Sequence, residues 1–317
     1  MKFASFLVLA FAAVAVQAQD FPSKAVKIVV AYPPGGGMDV SARMLSGPLS
    51  ERLKQPVVIE NRPGASGMIG AEAVAKAAPD GYTLLLAPAD TQAINPHVYT
   101  NIRYDARRDF APVALVGNLP TVLIVNPTLP VQSIDDFVKY ARERPGKLTF
   151  SSWGIGSSSQ IAMEVIKQER KVDLLHVPFT GAAPAMAAVS GGQVDAMMAS
   201  LVTAEPQHVG GKVRIIGVTP VQRAPGAIPL PTAGMPPNVA VWVGVLAPAN
   251  TPADIVSRLN REIKALAEDP ATRAQLNKAG LEVSTVGSPQ DFAKFFNESY
   301  ETWGKTVRAA KISAEMK

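Results

Sequence analysis

Apolar runs with strand composition alternate along the chain with stretches whose apolar positions repeat every three or four residues. Residues 26–32 form the first run, and Leu45, Leu49 and Leu53 then lie on one helical face. A second strand follows at residues 57–60, bounded by the turn Asn-Arg-Pro-Gly. The alternation predicts an α/β protein whose sheets are mixed, mostly parallel and flanked by helices.

Two glycine-rich turns each connect an apparent strand to an apparent helix. The first is Pro-Pro-Gly-Gly-Gly-Met-Asp at residues 33–39, and the second is Trp-Gly-Ile-Gly-Ser-Ser-Ser at residues 153–159. In the first turn Asp39 stands where a helix N-cap is expected. Each turn should aim unpaired backbone N–H groups and the positive end of a helix dipole at one spot, as in anion-binding loops.

Two further strands, at residues 122–127 and 243–248, end in proline and precede predicted capping boxes that begin at Ser133 and Thr251. Such paired elements are natural hinges between lobes. We therefore expect a first lobe of residues 19–123 plus 245–317 and a second lobe of residues 124–244. Each lobe then carries one glycine-rich turn, so the turns should face each other across a cleft.

Composition narrows the functional classes. Residues 1–18 combine Lys2, an uncharged apolar run and small residues before Gln19, which predicts a secretory signal peptide cleaved after Ala18 and export of the mature chain. The chain has no cysteine, so cysteine nucleophiles, thiolate metal sites and lipidation at cysteine are excluded. Its net charge of +5 comes from scattered basic residues, so we expect no nucleic-acid partner.

The sequence offers little for catalysis. The three histidines, His97, His176 and His208, are far apart and have no metal-ligand spacing. The serines at 157–159 lack a nucleophile-elbow motif, and Gly154-Ile155-Gly156 lacks the third glycine of a dinucleotide fingerprint. We expect no catalytic residue, metal or cofactor, although a secreted hydrolase remains the weaker alternative.

Seven motifs in register resemble the Bug/TctC family of periplasmic solute-binding proteins, which serve tripartite tricarboxylate transporters. The motifs extend over essentially the whole mature chain: YPPGGGMD at 32–39, VIENRPGA at 58–65, APDGYT at 78–83, INP at 94–96, DFAPV at 109–113, HVPF at 176–179 and GGQV at 191–194. The resemblance implies a two-lobed, type II-like Venus flytrap that closes on a small carboxylate and docks on integral membrane transporter subunits. It also leads us to expect a monomer.

The resemblance implies a ligand site built from loops of both lobes. The ligand-binding residues expected from it are Tyr32, Pro34, Gly35, Gly36, Gly37, Met38, Asp39, Asp90, Thr91, Trp153, Gly154, Ile155, Gly156, Ser157, Ser158, Ser159, Thr180, Gly181 and Ala182. Backbone amides would bind the common carboxylate, and variable side chains would select the rest of the ligand.

Departures from the family pattern bear on the ligand. Trp153 and Ile155 stand where the family has small or polar residues, Gln160 where it commonly has histidine, and Asp90 where Ser, Thr or Gly is usual. These differences favour an aromatic or pyridine carboxylate, or its amide, slightly over a C4–C6 dicarboxylate. Two alternatives stay open: Trp153 packs under its loop, and Asp90 caps a helix or lies exposed. A receptor that serves a sensor domain is likewise an alternative to transport.

Overall fold

Two mixed sheets form the framework of the protein. The computed structural model describes residues 21–219, 241–278, 280–284 and 287–312, so the predicted signal peptide lies outside the described residues. The strands are β1 (Val26–Val30), β2 (Val57–Asn61), β3 (Thr83–Pro88), β4 (Phe110–Leu119), β5 (Thr121–Val125), β6 (Thr149–Ser152), β7 (Leu175–Pro178), β8 (Ala196–Ser200), β9 (Arg214–Val218), β10 (Val241–Pro248) and β11 (Glu282–Val283). The first sheet has the order β11-β4-β10-β3-β1-β2, and the second β7-β6-β8-β5-β9.

The described helices flank these sheets. They are α1 (Gly37–Leu53), α2 (Met68–Ala75), α3 (Asn95–Val98), α4 (Ile134–Arg142), α5 (Ser158–Arg170), α6 (Ala182–Ser190), α7 (Leu201–Val209), α8 (Ala253–Glu268), α9 (Pro270–Lys278) and α10 (Pro289–Ala310). A 3₁₀ turn (Ala65–Gly67) and a π-helical turn (Asp90–Ile94) follow β2 and β3. In the described ranges no helix is long and apolar enough to cross a membrane.

Parallel pairing is confined to one part of each sheet. β1 pairs in parallel with β2 and β3, and β6 with β7 and β8. The ladders made by β10 with β3 and β4, by β11 with β4, and by β5 with β8 and β9 are antiparallel. The parallel strands follow βαβ units, whereas β5 and β10 enter their sheets after the chain passes from one sheet to the other.

The passages between the sheets lie outside the two proline-ended strands. All of β5 pairs within the second sheet and all of β10 within the first. The expected lobe borders at 123/124 and 244/245 would cut through these strands. Strand pairing favours lobe borders at Pro120 and between residues 219 and 241. The division of the chain into two lobes at these revised borders stays a prediction.

The cores follow from this layering. Leu85 and Leu246 pack in the core of the first sheet, which the aromatic face of α10 also covers through Phe292 and Phe296. The second sheet is buried on both faces, with Phe137 and Phe150 on one side and a separate apolar cluster under α6 and α7 on the other.

Helix starts agree with the capping predictions in part. Ser133 accepts a hydrogen bond from the amide of Asp136, and Ser288 forms a complete capping box with Asp291. The prediction for Thr251 is wrong, because α8 begins at Ala253 with Pro252 at the N-cap. Helix α1 runs through Pro48 undivided, and its N-cap is Gly36 instead of Asp39.

Candidate ligand-binding cleft

A cleft lies between the two sheets, where the glycine-rich turn before α1 faces the helix starts of the second sheet. Its walls come from the carboxyl ends of β1 and β3 on one side and from β5, β6 and β8 on the other. The lining residues are Tyr32, Pro33, Gly36, Gly37, Met38, Pro88, Leu119, Thr121, Trp153, Ala182, Ser200 and Val241. Among the lining residues that the structure describes none is charged, and their polar groups are hydroxyls, the tyrosine and indole rings and backbone amides.

Three helices begin at the cleft without a side-chain cap. The N-caps of α1 and α6 are Gly36 and Gly181, which have no side chain that could cap the helix. The N-cap of α7 is Ser200, whose side chain accepts no capping hydrogen bond. The first residues of α1 and α6 line the cleft together with Ser200. The first amides of a helix have no intrahelical acceptor, and the helix dipole adds positive potential there. The cleft is therefore an electropositive, largely apolar space that suits a small anion.

The first glycine-rich turn lies very close to the second lobe. A methyl group added to Gly37 would lie 2.5 Å from Ser200 Oγ and 3.3 Å from Val202 Cγ1. Gly35 has a φ of +82°, a conformation that favours glycine. At Gly36 an added methyl group would make ordinary contacts, at 3.6 Å from Ala182 Cβ. Close approach thus requires glycine at 37, and backbone conformation favours it at 35.

Asp39 holds the first turn in shape. Its carboxylate accepts hydrogen bonds from the backbone of Gly35 at 2.9 Å, from Arg43 Nε at 3.0 Å and from Asn61 Nδ2 at 2.9 Å. Burial alone would raise the pKa of Asp39, but these hydrogen bonds outweigh it, and the pKa lies below its ordinary value. Asp39 therefore stays ionised and directed at its own turn, outside the cleft lining.

The second glycine-rich turn is occupied by a carboxylate of the protein itself. Asp90, on the π-helical turn after β3, is 2% exposed. Its Oδ1 accepts from the backbone amide of Ser158 at 2.9 Å and from Trp153 Nε1 at 2.9 Å. The Ser158 hydroxyl donates to the same carboxylate, 2.9 Å from Oδ2. Burial raises the pKa of Asp90, and these hydrogen bonds oppose the increase only in part.

Other donors and acceptors of the second turn are also paired. Tyr99 donates to the carbonyl of Ile155 at 2.6 Å, and Ser66 Oγ donates to the same oxygen at 3.1 Å. Gln160 Oε1 accepts from the amide of Gly156 at 2.7 Å. Ser157 caps α5 by accepting from the amide of Gln160. The start of α5 is therefore satisfied by groups of the protein, and at the start of α7 the Leu201 amide donates to the Pro120 carbonyl at 2.8 Å. Among the described residues the first amides of α1 and α6 have no such partner.

The structure separates the predicted site residues into two groups. Those that line the cleft are Tyr32, Gly36, Gly37, Met38, Trp153 and Ala182. Those that lie around it without lining it are Pro34, Gly35, Asp39, Asp90, Thr91, Gly154, Ile155, Gly156, Ser157, Ser158, Ser159, Thr180 and Gly181. Neither group is tested by a bound ligand, so the assignment stays a prediction.

Four lining residues were absent from the predicted set and from the stretches beside it. Thr121 begins β5, Ser200 ends β8, Leu119 ends β4 and Val241 begins β10. Each stands at a strand end, which is where ligands bind in sheets of this type. That position was the signal available in the sequence, but it becomes specific only when strand order is known.

Comparison with known proteins agrees with this geometry. The profile of the family described as "Tripartite tricarboxylate transporter family receptor" matches residues 41–312. The chain belongs to this family. The resemblance drawn from the seven motifs is therefore confirmed. Members of this family are solute-binding receptors, and the fold is that of a two-lobed periplasmic binding protein of the TctC/Bug type.

Three relatives illustrate the similarity. A protein from Pseudomonas sp. (strain P51), "UPF0065 protein in tcbD-tcbE intergenic region", is 37% identical over 93% of this chain and 88% of its own length. The structure "R. palustris Rpa4515 with adipate" has 35% identity and a TM-score of 0.89, covering 94% of this chain and 100% of that one. "MatC (Rpa3494) from Rhodopseudomonas palustris with bound malate" has 32% identity and a TM-score of 0.81, covering 90% and 100%.

Proposed function

We propose that this receptor binds one small carboxylate, or the corresponding amide, in the cleft between its sheets. The observation that carries the proposal is the convergence of the uncapped starts of α1 and α6, with that of α7 beside them, on a cleft whose described lining residues carry no charge. Helix starts of this kind stabilise an anion through backbone N–H groups and the helix dipole. Adipate and malate in the two related structures support this ligand class.

The rest of the ligand meets an apolar wall. Trp153 lines the cleft beside Met38, Leu119 and Val241. An aromatic or pyridine carboxylate, or its amide, could stack on the indole ring and bury its own ring against these side chains. We therefore favour such a ligand slightly over a C4–C6 dicarboxylate.

The receptor works by capture without a chemical step. We propose that the lobes close on the ligand in the periplasm and that the closed form docks on the membrane subunits of a tripartite tricarboxylate-type transporter. A ligand shifts the lobes toward the closed form only through its higher affinity for that form. The contacts between Gly37 and residues of the second lobe supply the tight fit that such closure needs.

The proposal is tested by a thermal-shift screen of residues 19–317 after unfolding and refolding to strip carried-over ligand. The panel contains aromatic and pyridine acids, their amides, aliphatic mono- and dicarboxylates, tricarboxylates and amino acids. A ligand at 100 times its Kd stabilises the folded form by about 2.7 kcal/mol, which raises the Tm by several degrees. Stabilisation by a carboxylate or by its amide supports the proposal, whereas stabilisation by nothing in the panel contradicts it.

A further inference from the structure

The start of α5 carries a carboxylate that comes from the other sheet. Asp90 follows β3 of the first sheet, whereas Ser158 begins α5, which follows β6 of the second sheet. Two oxygens of Asp90 receive three donor groups, namely the Ser158 amide, the Ser158 hydroxyl and the Trp153 indole N–H. This is the bonding pattern that a ligand carboxylate would have at an uncovered helix start.

Further contacts attach the second glycine-rich turn to residues that belong to the half of the molecule built on the first sheet. Ser66 and Tyr99 both donate to the carbonyl of Ile155. A methyl group added to Gly156 would lie 2.6 Å from Val98 Cγ1, so the backbone at 156 lies directly against this side chain. Ile161 of α5 packs in the core of the first sheet. The carboxylate bonds of Asp90 thus belong to an extended contact between the two halves of the molecule.

We propose that Asp90 is a specificity-determining residue, a built-in carboxylate that fills the anion position at the start of α5 and leaves the helix starts of α1 and α6 for the ligand. The inference rests on the proposed function, since it assigns the class of carboxylate that the cleft accepts. A ligand with one carboxylate places it at the free helix starts, with its uncharged end against Trp153. A second carboxylate at that end meets donors that are already paired with Asp90, so no hydrogen bonds compensate its burial there.

Matched pairs of acids test this assignment. Hexanoate and adipate have equal chain lengths, as benzoate and terephthalate have equal rings, and each pair differs by one carboxylate. Wild type should bind the monocarboxylate of each pair more tightly. Asp90→Ser frees the amide of Ser158, so the preference should move toward the dicarboxylate by tenfold or more in the ratio of Kd values measured by calorimetry.

Asp195→Asn is the matched control. Asp195 also accepts from a backbone amide and a hydroxyl, both of Thr149, but it does so within the second sheet and away from the cleft. This variant should keep the wild-type ratio. An unchanged ratio in Asp90→Ser, or an equal change in Asp195→Asn, overturns the assignment even when carboxylate binding itself is intact.

A measurement without ligand separates this inference from the proposed function. Amide hydrogen exchange followed by NMR should show Ser158 protected in wild type and exchanging at least tenfold faster in Asp90→Ser, with strand amides of β6 unchanged. The more conservative Asp90→Asn should give an intermediate rate. Equal Ser158 exchange in all three proteins overturns the inference. Failure of every acid to bind while exchange changes as expected contradicts the proposed function and leaves the Asp90 contact standing.

Discussion

Replacement of Gly37 by alanine should weaken ligand binding without weakening the fold. The added methyl group would lie 2.5 Å from Ser200 Oγ, 3.0 Å from Ser200 Cβ and 3.3 Å from Val202 Cγ1, all in the second lobe. An overlap of this kind costs about 1–3 kcal/mol, but only while the start of α1 lies against Ser200 and Val202, as in the closed form. The contact between Asp90 and the start of α5 is a separate one and is expected to persist without ligand. The Kd should therefore rise roughly fivefold to 150-fold.

The assay combines calorimetric titration with thermal unfolding of ligand-free protein. Gly37 has a helical neighbourhood and no positive φ, so alanine should leave the ligand-free Tm unchanged or slightly higher. Gly47→Ala is the control in the same helix, because a methyl group there meets nothing within 4 Å. It should raise the Tm and keep the wild-type Kd.

A double-mutant cycle identifies the clash. Ser200→Gly removes both atoms that overlap most with the new methyl group, so Gly37→Ala combined with Ser200→Gly should recover most of the affinity lost by Gly37→Ala alone. Wild-type affinity in Gly37→Ala would refute the reasoning. The reasoning would also be refuted if Gly37→Ala lowered the affinity of the Ser200→Gly variant as much as it lowers that of wild type.

Three other predictions follow from single side chains. Trp153→Ala should cost at least ~1 kcal/mol of affinity for an aromatic acid, and unchanged calorimetric affinity would return the ring to a packing role. Burial, reinforced by the charge of Lys167, lowers the pKa of His176 to about 4, below its unfolded value of about 6.5. The neutral ring thus contributes stability above about pH 6.5, and this stability is lost as the pH falls toward about 4. In urea unfolding, the free energy of unfolding of wild type relative to His176→Gln should drop by about 1–2 kcal/mol across that window, which is less than for a fully buried ring. A difference that stays constant with pH would exclude the effect. Gly156→Ala, at a φ of +74° and against Val98, should lower the Tm of ligand-free protein by several degrees, because the second turn is expected to stay docked against Val98 without ligand, and an unchanged Tm would contradict that docking.

Much of the fold could be predicted from local patterns. The apolar runs at residues 26–32, 57–60 and 122–127 locate β1, β2 and β5, and Ser133 caps a helix as expected. Pairing direction could not be derived from these patterns. β5 and β10 read like the parallel strands in composition, and only their place after the passage between sheets makes their ladders antiparallel.

The candidate site could likewise be predicted only where its features are local in the sequence. Glycine-rich turns are visible in sequence because their chemistry is local, and Gly37, Met38 and Trp153 do line the cleft. The partner of a buried carboxylate is a long-range fact. Nothing around residue 90 indicates that Asp90 bonds to Ser158, 68 positions away. For the same reason Ser200, at the end of β8, enters the cleft without a sequence signal of its own.

The central claim is that helix starts in the cleft hold a carboxylate, and one titration tests it most directly. Stripped residues 19–317 are titrated by calorimetry with the acid that stabilises them most in the thermal screen and, in parallel, with its methyl ester. The account predicts one binding site for the acid and at least tenfold weaker binding of the ester, because the ester removes the charge and keeps the shape. Equal affinity for acid and ester would contradict it.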